Sequence, residues 1–327
     1  MRSQRVPVLV VLAGLLAGCS PEVDLQRERA IVAVAPGAAG MTSPTTTIPA
    51  GPTPRPKAGV TATGVTVPVF GTAAGGWLVG TPCGRTTTVR TLRPVAGTVV
   101  LDAGHGGQET GAIGPSGNKE SDLNLAVAAR AREALEAAGV SVASTRTGDY
   151  RVAVSARAAI VEALGPKAVV SIHHNAVYAH LQDTPGTEIF HQAVGTSASE
   201  SRRLAGLLYE EVTKALGSLE LSRWAVNPWA GAKPRRNAAG DDFYGILRRT
   251  QGTPTALLEV GFISRRSEER LYAEPRVQTA LGQAVSRAVI RFLTTPDPGR
   301  GYVVPPALAD DGGLGGGTEG CVDPPLE

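Results

Sequence analysis

Residues 98–139 read TVVLDAGHGGQETGAIGPSGNKESDLNLAVAARAREALEAAG. The stretch passes from a short β-branched run, 98–101, through a glycine-rich loop to a helical pattern. Over 122–138, Leu123, Val127, Ala131, Ala134, Leu135 and Ala138 recur at helical spacing, and Gly139 supplies a natural stop. The loop places an imidazole, His105, between Gly104 and the pair Gly106 and Gly107.

The alternation continues downstream. Residues 140–145 are strand-like, and Ser155 can cap a helix that runs to Leu164 and stops at Gly165. Residues 168–172 (AVVSI), 187–190 and 255–260 (TALLEV) are further strands, and 197–216 form a long amphipathic helix. Pro275 can open a last helix with Val277, Leu281, Val285, Val289 and Phe292 on one side. Strands alternating with helices predict an α/β domain over 97–294, with a twisted, mostly parallel sheet flanked by helices. Residues 59–96 alternate Val, Thr and Gly and predict a small N-terminal β appendage. The tail, 295–327, is expected to be disordered apart from Cys321.

Hydrophobic residues make up 42% of the chain and aromatic ones 4%, so the core must be built mainly of Ala, Val and Leu. The net charge of +3 is too small to argue for a nucleic-acid partner. Arg2 and Arg5 precede an apolar run, 8–16, that is too short to span a bilayer comfortably. The run ends in Leu16-Ala17-Gly18-Cys19, which resembles the lipobox of bacterial lipoproteins. That resemblance implies a signal peptide over 1–18 and a lipidated Cys19. A flexible Pro/Thr linker over 19–58 would follow, holding an exported head at the membrane, facing the cell wall or periplasm. The alternative is an ordinary secretory signal, which also exports the protein. Cys83 and Cys321 form an even pair that favours a disulfide outside the cytoplasm, the alternative being two free thiols.

In parallel sheets, ligands bind beyond the carboxyl ends of the strands. His105 follows the first strand, His173 follows Ser171-Ile172, and Glu259 lies near the end of TALLEV. A catalytic zinc needs three protein ligands and one open position. Glu120 sits before Ser121, the expected cap of the first helix, and the glycine-rich loop can bring it beside His105. Glycine at 104, 106 and 107 permits a tight turn and leaves room near the imidazole. Glu259 in an apolar strand needs a task or a partner, because an unpaired buried carboxylate is costly. Arg146 is either that partner or a brace for the loop carrying Asp149.

Five motifs occur in order: Asp102-Ala103-Gly104-His105-Gly106-Gly107; Gly114-x-x-Gly117-x-x-Glu120; Thr145-Arg146 with Asp149; Ser171-Ile172-His173-His174-Asn175; and Leu258-Glu259-Val260-Gly261-Phe262-Ile263-Ser264. Together they resemble the zinc N-acetylmuramoyl-L-alanine amidases that trim bacterial cell walls, over about residues 97–294. Ala103 stands where that family usually has proline, and His174 occupies a variable position. The resemblance implies Zn2+ held by His105, Glu120 and His173, with Glu259 as the catalytic glutamate. The reaction it implies is cleavage of the amide between N-acetylmuramic acid and L-alanine in peptidoglycan by a zinc-activated water. Asn175 is expected to shape the site or contact substrate, and Arg146 is a further candidate contact. His174, His180 and His191 lie off the matched positions and are not expected to be ligands. Only 176–186 separate the SIHHN motif from the next strand, so no plugging insert and no obligatory activator are expected; the chain is read as a monomer. In the loop 222–242, Trp224 and Trp229 could stack on sugars and Lys233, Arg235 and Arg236 could attract peptide carboxylates; the alternative is a solvated basic loop. Two rival readings are a zinc peptidase acting within stem peptides and a catalytically silent wall-binding lipoprotein.

Overall fold

A computed structural model describes residues 55–177, 186–219, 230–305, 307 and 317–327. The expected signal peptide, Cys19 and residues 19–54 of the expected linker lie outside the described residues. The Val/Thr/Gly stretch forms five strands: β1 (Ala58–Thr61), β2 (Thr66–Ala73), β3 (Gly76–Gly80), β4 (Thr86–Val89) and β5 (Leu92–Pro94). They order as β4-β3-β2-β1-β5 with every pairing antiparallel. Alternation buries Val65, Val67, Val69, Val79 and Val89 in a small core of their own.

The second sheet contains β6 (Val99–Ala103), β7 (Val142–Ser144), β8 (Ala168–Asn175), β9 (Glu188–His191), β10 (Gly231–Lys233) and β11 (Thr255–Phe262), in the order β10-β9-β11-β8-β6-β7. The expectation of a mostly parallel sheet needs correcting. The second sheet is mixed, because β9 runs antiparallel to β11. Adding the four antiparallel pairings of the first sheet makes five antiparallel against four parallel, the parallel ones being β10 with β9, β11 with β8, and β6 with both β7 and β8. Since β11 runs parallel to β8, β9 also runs opposite to β8, the strand that precedes it in the chain.

The helices are α1 (Glu120–Ala137), α2 (Val154–Leu164), α3 (Ala198–Gly217), α4 (Gly245–Arg249), α5 (Arg266–Tyr272) and α6 (Pro275–Thr294). The Leu123-Val127-Ala131-Leu135 stripe of α1 joins the apolar faces of α3 and α6 over Leu101, Ile172 and Leu258, forming the main core. On the opposite face α2 covers Val100 and Val169, and α4 covers Phe190 and Leu257. Two cap expectations were displaced: Lys119, not Ser121, precedes α1, and Ala153, not Ser155, precedes α2, neither with a side-chain cap bond. Gly139 and Gly165 do stop their helices in the left-handed region, at φ 79° and 58°. No helix among the described residues is long and apolar enough to cross a membrane.

The expectation of a disordered tail also fails where the tail is described. Tyr302 bridges to Ala232 on β10, whose N–H donates to Gly301 O at 2.8 Å. Cys83 and Cys321 are bonded, with Cα atoms 5.6 Å apart, and Asp323 accepts a 2.7 Å hydrogen bond from the Cys83 N–H. A long-range covalent tie and backbone pairing hold the described parts of the tail.

One carboxylate fastens four elements. Asp102, at 1% exposure on β6, accepts from Thr145 after β7 (2.6 Å), Ser171 on β8 (2.7 Å) and Arg157 on α2 (2.6 Å). Burial alone would raise its pKa, but the Arg157 charge and the three hydrogen bonds lower it to about 2. A depressed carboxylate stabilises the fold above its ordinary pKa and loses that contribution as pH falls toward the folded value. Between pH 5 and pH 2 the protein should therefore lose about 2 kcal/mol through Asp102. The Asp102→Asn variant should be less stable at pH 7 by about 3–5 kcal/mol, because Arg157 is left buried and unpaired, and should lack that part of the acid dependence. Denaturant unfolding across this pH range checks both; parallel curves for the two proteins would contradict the assignment.

Candidate metal centre

Glu188 on β9, Glu259 on β11 and His173 on β8 are register partners on three adjacent strands, so their side chains emerge in one row. The row continues to Gly104, whose N–H donates to Ile172 O at 3.0 Å. A Cβ on Gly104 would lie 2.1 Å from His173 Cε1, so the missing side chain is what admits the imidazole. His105 follows with φ 61°, a left-handed backbone that a non-glycine residue adopts at a cost. Two guanidinium groups hold it there. Arg157 donates to the carbonyls of Ala103 (2.7 Å) and His105 (2.8 Å), and Arg146 donates to those of Ala103 (2.9 Å) and Gly104 (2.9 Å).

Three ligand-type side chains then converge. Glu120 Oε1 lies 3.2 Å from His105 Nε2 and 3.0 Å from His173 Nδ1. One ligand atom from each of the three lies within 4.8 Å of the others. Glu120 sits in the first turn of α1, where the helix dipole favours a negative charge, and its Oε2 accepts from Ala112 N at 2.9 Å. His105 Nδ1 faces Glu109 Oε1 at 3.0 Å. Burial opposes a charge on His105, but the hydrogen bonds to Glu109 and Glu120 outweigh it and raise its pKa to about 9. The donor set fits a dication: two imidazoles and a carboxylate, with a further carboxylate orienting His105.

Glu259 is 8% exposed, and its Oε2 is buried with no hydrogen-bond partner among the described residues. Burial pushes its carboxyl well above the ordinary range, and the charges of Glu120 and Glu188 push it further. It lines a cavity of about 250 Å³ together with His105, Glu120, His173, Asn175 and Tyr244. Asn175 donates to Glu188 Oε2 at 2.7 Å, and Lys233 pairs with the same carboxylate.

Several expected roles move. Arg146 makes no ion pair with Glu259 among the described residues: it is 1% exposed, and its donors go to the carbonyls of Ala103, Gly104, Ser121 and Gly148. Bracing, one of its two readings, is what its contacts do. Lys233 is 2% exposed in its ion pair, so it is not a surface cation for peptide carboxylates. His174 points to the other face, 2.8 Å from Asn124 Oδ1, and burial lowers its pKa to about 4. Trp224, Trp229, His180 and residues 178–185, on which the absence of a plug was read, lie outside the described residues. Sequence reasoning missed Arg157, Glu109 and Glu188. An arginine among the apolar residues of α2 and a glutamate four places after His105 were the available signals.

The class that emerges is an α/β domain whose cavity at the strand ends holds a candidate metal cluster beside a buried carboxyl. The model of the N-acetylmuramoyl-L-alanine amidase family matches residues 99–291, and the chain belongs to that family. An uncharacterized Bacillus subtilis protein, YqiI, is 30% identical over 62% of this chain and 91% of its own length. The N-acetylmuramoyl-L-alanine amidase AmiC of Neisseria meningitidis is 26% identical over 62% of this chain; the match spans 53%, about half, of that relative. The solved N-acetylmuramoyl-L-alanine amidase AmiC2 of Nostoc punctiforme is similar with a TM-score of 0.50 and 26% identity, over 61% of this chain and 98% of that one.

The Gly104→Ala variant is expected to push the His173 ring out of the cluster and to weaken binding of a dication by at least about tenfold, as loss of a ligand's correct placement does. Chelator competition measures this; unchanged affinity in a folded variant would show that the glycine is not what seats His173.

Proposed function

We propose that the protein is an exported zinc N-acetylmuramoyl-L-alanine amidase that hydrolyses the amide between the lactyl group of N-acetylmuramic acid and L-alanine in peptidoglycan. The observation that supports this most is the meeting, in one cavity, of the ligand atoms of His105, Glu120 and His173 with the buried, unpartnered oxygen of Glu259. Family membership supplies the bond.

His105, Glu120 and His173 would hold the zinc, which when bound supplies Lewis acidity for water and for the scissile carbonyl. Glu109 keeps the His105 ring aimed by facing its other nitrogen. Glu259 accepts the proton of the attacking water and later delivers it to the departing amine. The carbonyl carbon gains the water oxygen, the C–N bond breaks, and the products are a lactyl carboxylate and a free L-alanine amine. Before metal binding, burial and then the negative neighbours of Glu259 favour its protonated form; a dication at the three ligands would oppose that field and favour the base. Lys233 offsets the Glu188 charge in the same row.

Export and a lipid anchor at Cys19 are proposed on the lipobox-like Leu16-Ala17-Gly18-Cys19 and the apolar run before it. A monomer acting without an activator completes the reading.

Glu259→Ala should bind one zinc as the parent does and lose turnover on peptidoglycan by about 10²–10⁴-fold, the usual contribution of a positioned acid–base group. The rate of appearance of free L-alanine amines checks this. Parent-like turnover would remove Glu259 from the mechanism.

A further inference from the structure

The Cys83–Cys321 disulfide lies in the appendage and tail, yet a continuous set of contacts leads from it to the metal cluster. Residues 317–319, just before Cys321, present two carbonyls to one guanidinium. Arg151 Nη1 donates to Glu319 O at 2.8 Å and Nη2 to Gly317 O at 2.9 Å. The third nitrogen of that fork, Nε, lies 3.0 Å from Glu109 Oε2 as an ion pair. Glu109 uses its other oxygen, Oε1, 3.0 Å from His105 Nδ1. The guanidinium thus holds the tail by two hydrogen bonds and faces the carboxylate that aims a ligand by charge, its Nε making no hydrogen bond among the described residues. Side-chain exposure is 14% for Arg151 and 23% for Glu109, so solvent screens the pair only in part.

The end of the tail is held to the appendage, with Pro325 O accepting from Thr63 Oγ1 at 2.6 Å and Leu326 packed on its small core. The disulfide and the Asp323 bonds to Cys83 N and Arg85 hold it against the appendage. The appendage is in turn fixed to the start of α2, where Ala153 N donates to Pro82 O at 2.8 Å, two residues from Arg151. A planar guanidinium spans two carbonyls with its fixed fork while its charge faces a carboxylate, whereas the donors of a lysine all radiate from one nitrogen.

We propose that Arg151 is a positioning residue that joins the disulfide-held tail to the Glu109–His105 pair, so that the disulfide sets the affinity of the metal centre from outside the catalytic sheet. The proposal rests on the reading of His105, Glu120 and His173 as zinc ligands. It predicts that the disulfide and Arg151 act through one route and not independently.

The test is a double-mutant cycle on the full chain, with zinc affinity read by chelator competition and folding of the metal-free protein by thermal unfolding. Arg151→Ala is expected to weaken zinc binding about tenfold or more, the range seen for groups that orient ligands. The Cys83→Ser/Cys321→Ser chain should weaken it in the same direction. Combining the changes should weaken it no further than Arg151→Ala alone. Parent-like affinity in Arg151→Ala, or losses that multiply in the combined variant, would overturn the proposal. If the cysteine-free chain does not fold, Arg151→Lys replaces it: the variant keeps a cation for Glu109 but not the fork on the tail, and affinity below the parent's is expected, equal affinity overturning the proposal. Failure of the parent itself to bind zinc would instead sink the metal reading on which the proposal stands.

Discussion

The buried carboxylate of Asp102 and the two guanidinium groups around it are the constraint from which the rest follows. A carboxylate at 1% exposure is tolerable only because Arg157, Thr145 and Ser171 answer it within 2.7 Å. Those same contacts lock β6 to its two neighbours and to α2. Arg157 and Arg146 have donors left over, and they spend them on the carbonyls of residues 103 to 105. The strand end therefore leaves the sheet in one conformation, with His105 in the left-handed region that it would not choose by itself. A polar core of this kind contributes geometry more than net stability: it fixes where an imidazole points.

The centre is also a problem of crowding and charge. Gly104 and Gly111 approach the ligands so closely that a methyl group would collide with His173 at one and with Glu120 and His105 at the other. Into that space the fold brings Glu109, Glu120, Glu188 and Glu259. Lys233 answers Glu188 and Arg151 answers Glu109, while Glu120 is answered by the two imidazoles. Glu259 alone is left with a buried oxygen unpartnered and a strongly raised pKa. Such an uncompensated carboxyl is costly to stability, and functional sites are where such costs are kept.

Much of this was legible in the chain itself. The β-branched runs, the Leu123-Val127-Ala131-Leu135 stripe and the glycine stops give the elements of the α/β domain, because periodicity and left-handed stops are local properties. The reversal of β9 was not legible as periodicity, since the pattern within a strand carries no information on its direction. Neither cap was legible: the helices start after Lys119 and Ala153, and the buried Ser121 hydroxyl makes no hydrogen bond among the described residues. Arg146 was legible only as a charge; that its target is backbone carbonyls depends on strand ends far apart in sequence. The placement of the tail's described residues escaped composition because it comes from Cys321, from pairing with β10 and from Tyr302 and Leu326 packing on two cores distant in sequence.

The most direct test of the central claim is the identity of the fragments released when the full chain acts on purified peptidoglycan, read by mass spectrometry with zinc and with a chelator. The account predicts free stem peptides with an intact N-terminal L-alanine, abolished by the chelator and restored by zinc. Fragments cut within the stem peptide or the glycan, or release indifferent to the chelator, would contradict it.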